Sequence, residues 1–362
     1  MSTFEESYDK VFSSVFENQD EKFKEIVKNK LIISLIGDVN VGKSETINAL
    51  TGRKLSEVSA FAGETKNVSL HDYSENVWIA DTPGLNDINI DISKKATDFV
   101  HKDSDIIIFF MNATVGASKA VIDTFHSLKK MNKPIITVLN KIDVWYENGE
   151  LVEIEAYETV VAQIEKETNQ KLIAISAKKR INIMQLNNRI IELLETSGKD
   201  ILFLKVSKFR EEQVKIWING ASITAFGIGV IPIPGADIVP LTTLQVSLAL
   251  KIAYVYNCKV SKNDVMTLLA STVTGGVGKQ IFKFGVQLLK GIGWIGGPVV
   301  EGSAVILAGS IAGSITYGFG WACNYYYKSG MNIDLKDLGE IYKQKYDEYF
   351  NDKNKASINM NS

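Results

Sequence analysis

The polar and apolar positions of this 362-residue chain change period twice. Over residues 1–30, Phe4, Tyr8, Val11, Phe12, Val15 and Phe16 recur at helical spacing. Phe23, Ile26 and Val27 resume the pattern after a polar break. This spacing predicts an amphipathic helix packed on its own protein, with oligomerisation or membrane contact as the other uses of such a face. Over residues 31–197, short apolar runs alternate with helical patterns. The runs are Leu31–Ile36, Val77–Ile79, Ile106–Met111, Ile135–Leu139 and Leu172–Ile175. Continuously apolar strands between helices predict an α/β domain with a mostly parallel sheet covered on both faces. Ligands of such sheets bind at the carboxyl ends of the strands.

Residues 198–350 read as a C-terminal all-α domain, its helices separated by Gly and Pro. Ile201–Asn219 reads as a connector that couples the two domains. Lys205, Lys208, Arg210, Glu211, Glu212 and Lys215 give it a polar face, and Val206, Phe209, Val214 and Trp217 an apolar one. Ile231-Pro232-Ile233-Pro234-Gly235 is a break. After it Leu241, Leu244, Leu248, Ile252 and Val255 form a helical stripe, with Asp237 as a cap and Pro240 in the first turn. Leu335, Leu338, Tyr342, Tyr346 and Tyr349 predict an amphipathic helix over 333–350, and the polar residues 351–362 are predicted to be a disordered tail.

Composition sharpens the boundary near residue 200–220. Between Ala221 and Lys328 there are 108 residues with ten charges, and they hold 16 of the 27 glycines. The whole chain carries 40 basic and 42 acidic residues, net charge -2, so nothing in its charge calls for a nucleic-acid partner. Two cysteines, Cys258 and Cys323, match no metal spacing and fit a reducing compartment. The acidic start Met-Ser-Thr-Phe-Glu-Glu lacks the features of a signal peptide, and the expected location is cytoplasmic.

Gly37-Asp38-Val39-Asn40-Val41-Gly42-Lys43-Ser44 fits G-x-x-x-x-G-K-[ST] after an apolar strand and before a helical pattern. Main-chain amides and a helix N-terminus there attract phosphate charge. Lys43 is expected to reach the β- and γ-phosphates, and the Ser44 hydroxyl to bind Mg²⁺. Asn140-Lys141-Ile142-Asp143 follows the strand Ile135–Leu139. A carboxylate at Asp143 accepts the two hydrogens of a guanine edge, and adenine offers no such pair, which selects GTP over ATP. Lys141 can lie along the base plane. Ser176-Ala177-Lys178 follows the next strand, where a main-chain amide can contact the guanine O6. Asp81-Thr82-Pro83-Gly84 offers Asp81 to the Mg²⁺ shell and the Gly84 amide to the γ-phosphate. Thr65, in Gly63-Glu64-Thr65-Lys66, is the threonine expected on the metal, with Thr51, Ser56 and Ser59 left open as alternatives. Thr65 and Gly84 would release on hydrolysis.

This set of loops resembles the Era-like bacterial GTPases of the translation-factor-related class, over residues 31–197. The resemblance implies a P-loop GTPase domain in which Asn40 ligates a potassium ion that stands in for an arginine finger. Leu85 occupies the place where Ras-type proteins carry a water-orienting glutamine. Slow intrinsic hydrolysis follows, stimulated by potassium, by homodimer contact at the switch loops or by a partner. Lys43, Thr65, Gly84 and Asn40 are the residues expected to act in hydrolysis.

Ile231–Asp237 with Thr242-Thr243-Leu244-Gln245-Val246 resembles a helical domain of unknown function found on Era-like GTPases and in the inner-membrane family typified by YcjF. That resemblance covers about residues 205–328 and implies membrane association. The flanking helices are also similar in arrangement to those of the immunity-related GTPases. Gly302–Tyr327 has no charge and is long enough to cross a hydrocarbon core of ~30 Å. Gly309 and Gly313 make a small-residue seam suited to close packing in lipid, whereas Ser303, Ser310, Ser314 and Thr316 dilute the apolar character. A buried helix of a bundle would also lack charge. The expected function is a nucleotide-controlled switch for a membrane-associating helical domain, at the inner face of a membrane. A dynamin-like remodelling GTPase and an RNA- or ribosome-assembly GTPase are the rival readings. Gly275-Gly276-Val277-Gly278-Lys279 imitates a second phosphate loop but has Val273 and Gln280 at the first and last positions. His71, His101 and His126 show no ligand spacing.

Overall fold

The computed structural model describes residues 3–54, 60–62, 69–74, 76–81, 98–230, 238–274 and 302–360. The chain divides into two compact units, Ile26–Arg210 and a helical unit of Met1–Glu25 with Glu211–Ser362. The first division falls inside helix α1 (Thr3–Lys28).

The Ile26–Arg210 unit is built on a seven-stranded sheet. Its strands are β1 (Leu31–Gly37), β2 (Ala60–Ala62), β3 (Ser69–Ser74), β4 (Val77–Asp81), β5 (Ile106–Asn112), β6 (Ile135–Asn140) and a last strand, Leu172–Ala174. In sheet order they run β2, β3, β4, β1, β5, β6 and then Leu172–Ala174. Strands β4, β1, β5, β6 and the last are parallel, while the β2–β3 and β3–β4 pairs are antiparallel. The central strands β5 and β6 are buried along nearly their whole length, which is why they read as unbroken apolar runs. β3, Ser-Leu-His-Asp-Tyr-Ser, is half polar and carried no such signal. A two-stranded hairpin of β7 (Tyr146–Glu147) and β8 (Glu150–Leu151) turns at Asn148 (φ 50°) and Gly149 (φ 89°), the residue types that tolerate such a turn.

Helices α2 (Lys43–Thr51), α3 (Lys119–Lys129), α4 (Ile154–Thr168), α5 (Ile183–Glu195) and α6 (Asp200–Val206) belong to the same unit. Ser118 caps α3, its hydroxyl accepting from the Val121 amide at 3.4 Å. Phe109, Phe125, Leu139, Ile142 and Trp145 form the core between the sheet and helices α3 and α4. Asp105 joins the start of β5 to β1, its Oδ2 accepting from the Ile32 amide at 2.9 Å while Oδ1 takes Lys199 Nζ at 2.5 Å. The predicted connector Ile201–Asn219 is not one helix. The chain breaks at Ser207, whose hydroxyl donates to Asn187 at 2.6 Å, and α6 is buried on nearly every side. Its residues Ile201–Leu204 carry no charge to hold a face in water.

The helical unit contains most of α7 (Arg210–Gly229), then α8 (Ile238–Val255), α9 (Lys262–Thr274), α10 (Gly302–Lys328) and α11 (Leu335–Met360). α11 continues past Phe350 through residues read from sequence as a disordered tail. Once a helix is nucleated, adding residues such as Lys353, Lys355 and Ala356 costs little. Asp237 and the 231–237 break lie outside the described residues, as do Gly275–Gln280.

The Gly309–Gly313 seam packs against the unit's own helices. A Cβ at Gly309 would lie 2.7 Å from Val230 Cγ1 and 2.9 Å from the Phe226 carbonyl. One at Gly313 would lie 3.0 Å from Tyr349 Cε1 and 3.1 Å from the Ser222 carbonyl. α10 is the one described helix long and apolar enough to cross a membrane, and 78% of its most apolar window is buried within the protein.

The part of α1 up to Glu25 belongs to this unit. Phe12, Phe16 and Phe23 are buried, Phe23 stacks on Tyr254 at 5.6 Å, and Tyr254 Oη donates to Asp20 Oδ1 at 2.8 Å. Lys24 pairs with the other oxygen of Asp20 at 2.6 Å, so the buried carboxylate is partnered on both sides.

Candidate nucleotide-binding site

β1 delivers the chain into a tight loop, Asp38–Gly42, that opens α2. Two glycines make the loop sterically possible. A Cβ at Gly37 would meet the Phe110 carbonyl at 2.7 Å. At Gly42 (φ 95°) a Cβ would meet Asn140 Nδ2 at 2.3 Å, so both backbone angle and space exclude a side chain. Asn40 adopts φ 62° and is exposed.

The Lys43 ammonium lies over this loop. It donates to the carbonyls of Gly37 (2.9 Å) and Asp38 (3.3 Å) and is 3.8 Å from Asp81 Oδ1. A cavity of about 640 Å³ opens there, lined by Val39–Glu45 and Asn48, with Ser69 and Asp81 from β3 and β4. That volume is in the range of small-molecule sites. Burial raises the Asp81 carboxyl above its ordinary value, and the charges of Lys43 and then His71 oppose the shift. Asp81 Oδ1 is buried and accepts no hydrogen bond among the described residues. An orphaned carboxylate oxygen in the same cavity as the Ser44 hydroxyl is the hard oxygen donor set that fits Mg²⁺.

The second half of the site lies at the ends of β6 and the Leu172–Ala174 strand. Asn140 is buried and links three loops. Its Nδ2 donates to the Val41 carbonyl at 2.8 Å, and its Oδ1 accepts from the amides of Lys141 (2.8 Å) and Ala177 (3.1 Å). Lys141 sits at φ 69° and turns the chain into a 3₁₀ segment, Ile142–Trp145. Asp143 Oδ1 accepts from the Ser176 hydroxyl at 2.6 Å, and Ser176 Oγ accepts from the Lys179 amide at 3.1 Å. Asp143 is thus oriented by the Ser176-Ala177-Lys178 loop, where Lys178 is exposed.

Of the residues read from sequence, Gly37–Ser44, Asp81, Asn140, Lys141, Asp143 and Ser176–Lys178 all lie at the carboxyl end of the sheet. Thr65, Gly84 and Leu85 lie outside the described residues, as do Ser56 and Ser59. Sequence reasoning missed Glu45, Asn48 and Ser69 in the cavity wall. Asn48 stands four residues after Ser44 and so shares its helix face, a signal available in the sequence. Ser69 is placed only by its pairing with Asp81 across the β3–β4 hairpin. His71, His101 and His126 form no metal cluster among the described residues.

Residues 32–141 match the family described as 50S ribosome-binding GTPase, and residues 203–351 match a domain of unknown function, DUF697. The chain thus carries a P-loop GTPase domain over residues 32–141 and a DUF697-type helical domain over residues 203–351. The GTPase domain is similar to the probable tRNA modification GTPase MnmE of Cyanidium caldarium, 33% identical over 175 residues, 47% of this chain and 36% of that protein. It is also similar to GTPase Der of Campylobacter jejuni, 34% identical over 116 residues, 31% of this chain and 25% of that protein. The chain therefore spans well under half the length of these relatives. A crystal structure of an Aquifex aeolicus Era variant bound to GDP·AlF4⁻ is matched at 26% identity and TM-score 0.35, over 45% of this chain and 56% of that one.

Proposed function

We propose that this chain binds GTP with Mg²⁺, hydrolyses it slowly, and uses the nucleotide state to control its helical unit. The observation that carries the reading is Asn140, which ties the phosphate loop at Val41 to both base-side loops in one hydrogen-bonded constellation. Lys43 and the loop amides take the phosphates. Asp143, held by Ser176, presents a carboxylate to the guanine N1–H and 2-amino group. With ATP that carboxylate would face no donor pair, a loss on the order of 10⁴-fold for sites built to hydrogen-bond one partner. Lys141 flanks the base, and the Lys178 amide is assigned to the O6.

Ser44, Asp81 and Thr65 would hold Mg²⁺, which when bound neutralises charge on the β- and γ-phosphate oxygens. Gly84 and Thr65 report the γ-phosphate. With Leu85 where a glutamine could orient water, hydrolysis depends on a stimulus, which we assign to a potassium ion at Asn40 with homodimer contact at the switch loops. The test is GTPase rate in potassium and in sodium over a range of protein concentrations. Faster turnover in potassium, rising with concentration, is expected; equal rates at every concentration sink the assignment.

The membrane form of this reading rests on the length and composition of α10, together with its burial. A helix whose apolar face is used inside a bundle meets lipid only after the bundle opens. We therefore assign membrane contact to one nucleotide state, on the cytoplasmic face where GTP is available. Sedimentation with anionic liposomes in GTP analogue, GDP and no nucleotide tests it. State-dependent pelleting is expected, and absence of pelleting in all three contradicts it.

A further inference from the structure

The β3–β4 hairpin has one end in the nucleotide cavity and the other on α1. At the open end Ser69 pairs with Asp81, and both line the cavity. At the turn, Asn76 makes two bonds. Its main-chain carbonyl accepts from the Leu31 amide at 2.8 Å, and its Nδ2 donates to the Val27 carbonyl at 3.0 Å. Val27 is in the last turn of α1, where carbonyls have no partner within the helix. Asn76 thus caps α1 from another element. Its φ of 72° is a conformation that asparagine accepts, and it aims the side chain while keeping the turn tight.

The hairpin is irregular. A bulge interrupts the β3–β4 pairing between Asp72 and Ser74. Along β3, His71 Nδ1, Asp72 Oδ1 and Ser74 Oγ are buried without a hydrogen bond among the described residues. Such groups favour any rearrangement that pairs them. Two discrete arrangements of a hairpin are what a switch needs.

We propose that the β3–β4 hairpin carries the nucleotide state to α1, with Asn76 as the residue that hands it over. A change at Ser69 and Asp81 on loss of the γ-phosphate moves the turn and alters the hold of Asn76 on Val27. α1 then passes the change on, because residues 3–25 of the same helix belong to the helical unit. This rests on the GTP reading and adds the route by which that site is read out.

The test is amide hydrogen exchange on the full chain, in Mg²⁺ with GDP and with a non-hydrolysable GTP analogue, after nucleotide affinity has been measured on the same sample. Exchange in the last turns of α1 is expected to differ by about threefold or more between the two states. Asn76→Gly keeps the left-handed turn and the bond to Leu31 and removes only the side chain. It is expected to abolish that difference with nucleotide affinity unchanged. Asn76→Asp, which keeps the shape but lacks the donor, serves should the glycine variant not fold. No nucleotide binding at all overturns the GTP reading and this inference with it. Bound nucleotide with identical α1 exchange in both states, or a difference that survives in the Asn76 variants, overturns this inference alone.

Discussion

The side-chain amide of Asn140 donates to the carbonyl of Val41 at 2.8 Å, joining two loops 99 residues apart in sequence. The same side chain accepts two main-chain amides. Asn140→Ala leaves the Val41 carbonyl and the Ala177 and Lys141 amides without this partner, a cost of about 1–3 kcal/mol for each buried group. GTP affinity is expected to fall by about 10- to 100-fold. Titration with a fluorescent GTP analogue measures this, and unchanged affinity would remove Asn140 from the account. Gly42→Ala forces a Cβ against the same amide and should be at least as damaging.

In the helical unit, glycine has opposite meanings at two positions. Gly309→Val drives a side chain into Val230 and Phe226 and is expected to destabilise by about 1–3 kcal/mol. At Gly227 a Cβ meets nothing within 4 Å, so Gly227→Ala should gain up to about 1 kcal/mol of helix propensity. Thermal melts followed by circular dichroism separate the two. A Gly309→Val protein as stable as the parent would mean that α10 does not pack on α7 as described.

Burial raises several tyrosines above their ordinary value of 10.0, Tyr346 to about 12 and Tyr327 well above it. Tyr254 is raised by burial and then by the carboxylate of Asp20. The folded protein therefore keeps protons that the unfolded chain releases, so stability is present below about pH 10 and is lost as pH rises toward 12 and beyond. Phenolate absorbance should lag behind free tyrosine and then rise together with loss of helix signal. Free titration of all tyrosines near pH 10 with the fold intact would contradict the burial of this set.

The phosphate and base loops were legible because their chemistry demands fixed residue types at fixed spacing, and because β1, β5 and β6 are apolar on both faces. β3 was not legible. It is half polar, and what fixes it is pairing with β4. The joining role of Asn140 was equally hidden, since its partner Val41 lies in another loop. Gly309 and Gly313 read as a seam, but a sequence carries no sign of whether lipid or Phe226, Val230 and Tyr349 will fill it. The break at Ser207 carried no local signal, and there the Ser207 hydroxyl donates to Asn187, twenty residues upstream.

Guanine recognition through Asp143, in a site shared with Lys43, is read out by nucleotide affinity. Calorimetric titration of the full chain in Mg²⁺ should give binding of GTP and GDP and none of comparable strength for ATP. Asp143→Asn should lose GTP and take up xanthosine triphosphate, whose 2-oxo group accepts where guanine donates. Equal affinity for GTP and ATP, or an Asp143→Asn protein that binds GTP as the parent does, would contradict the account.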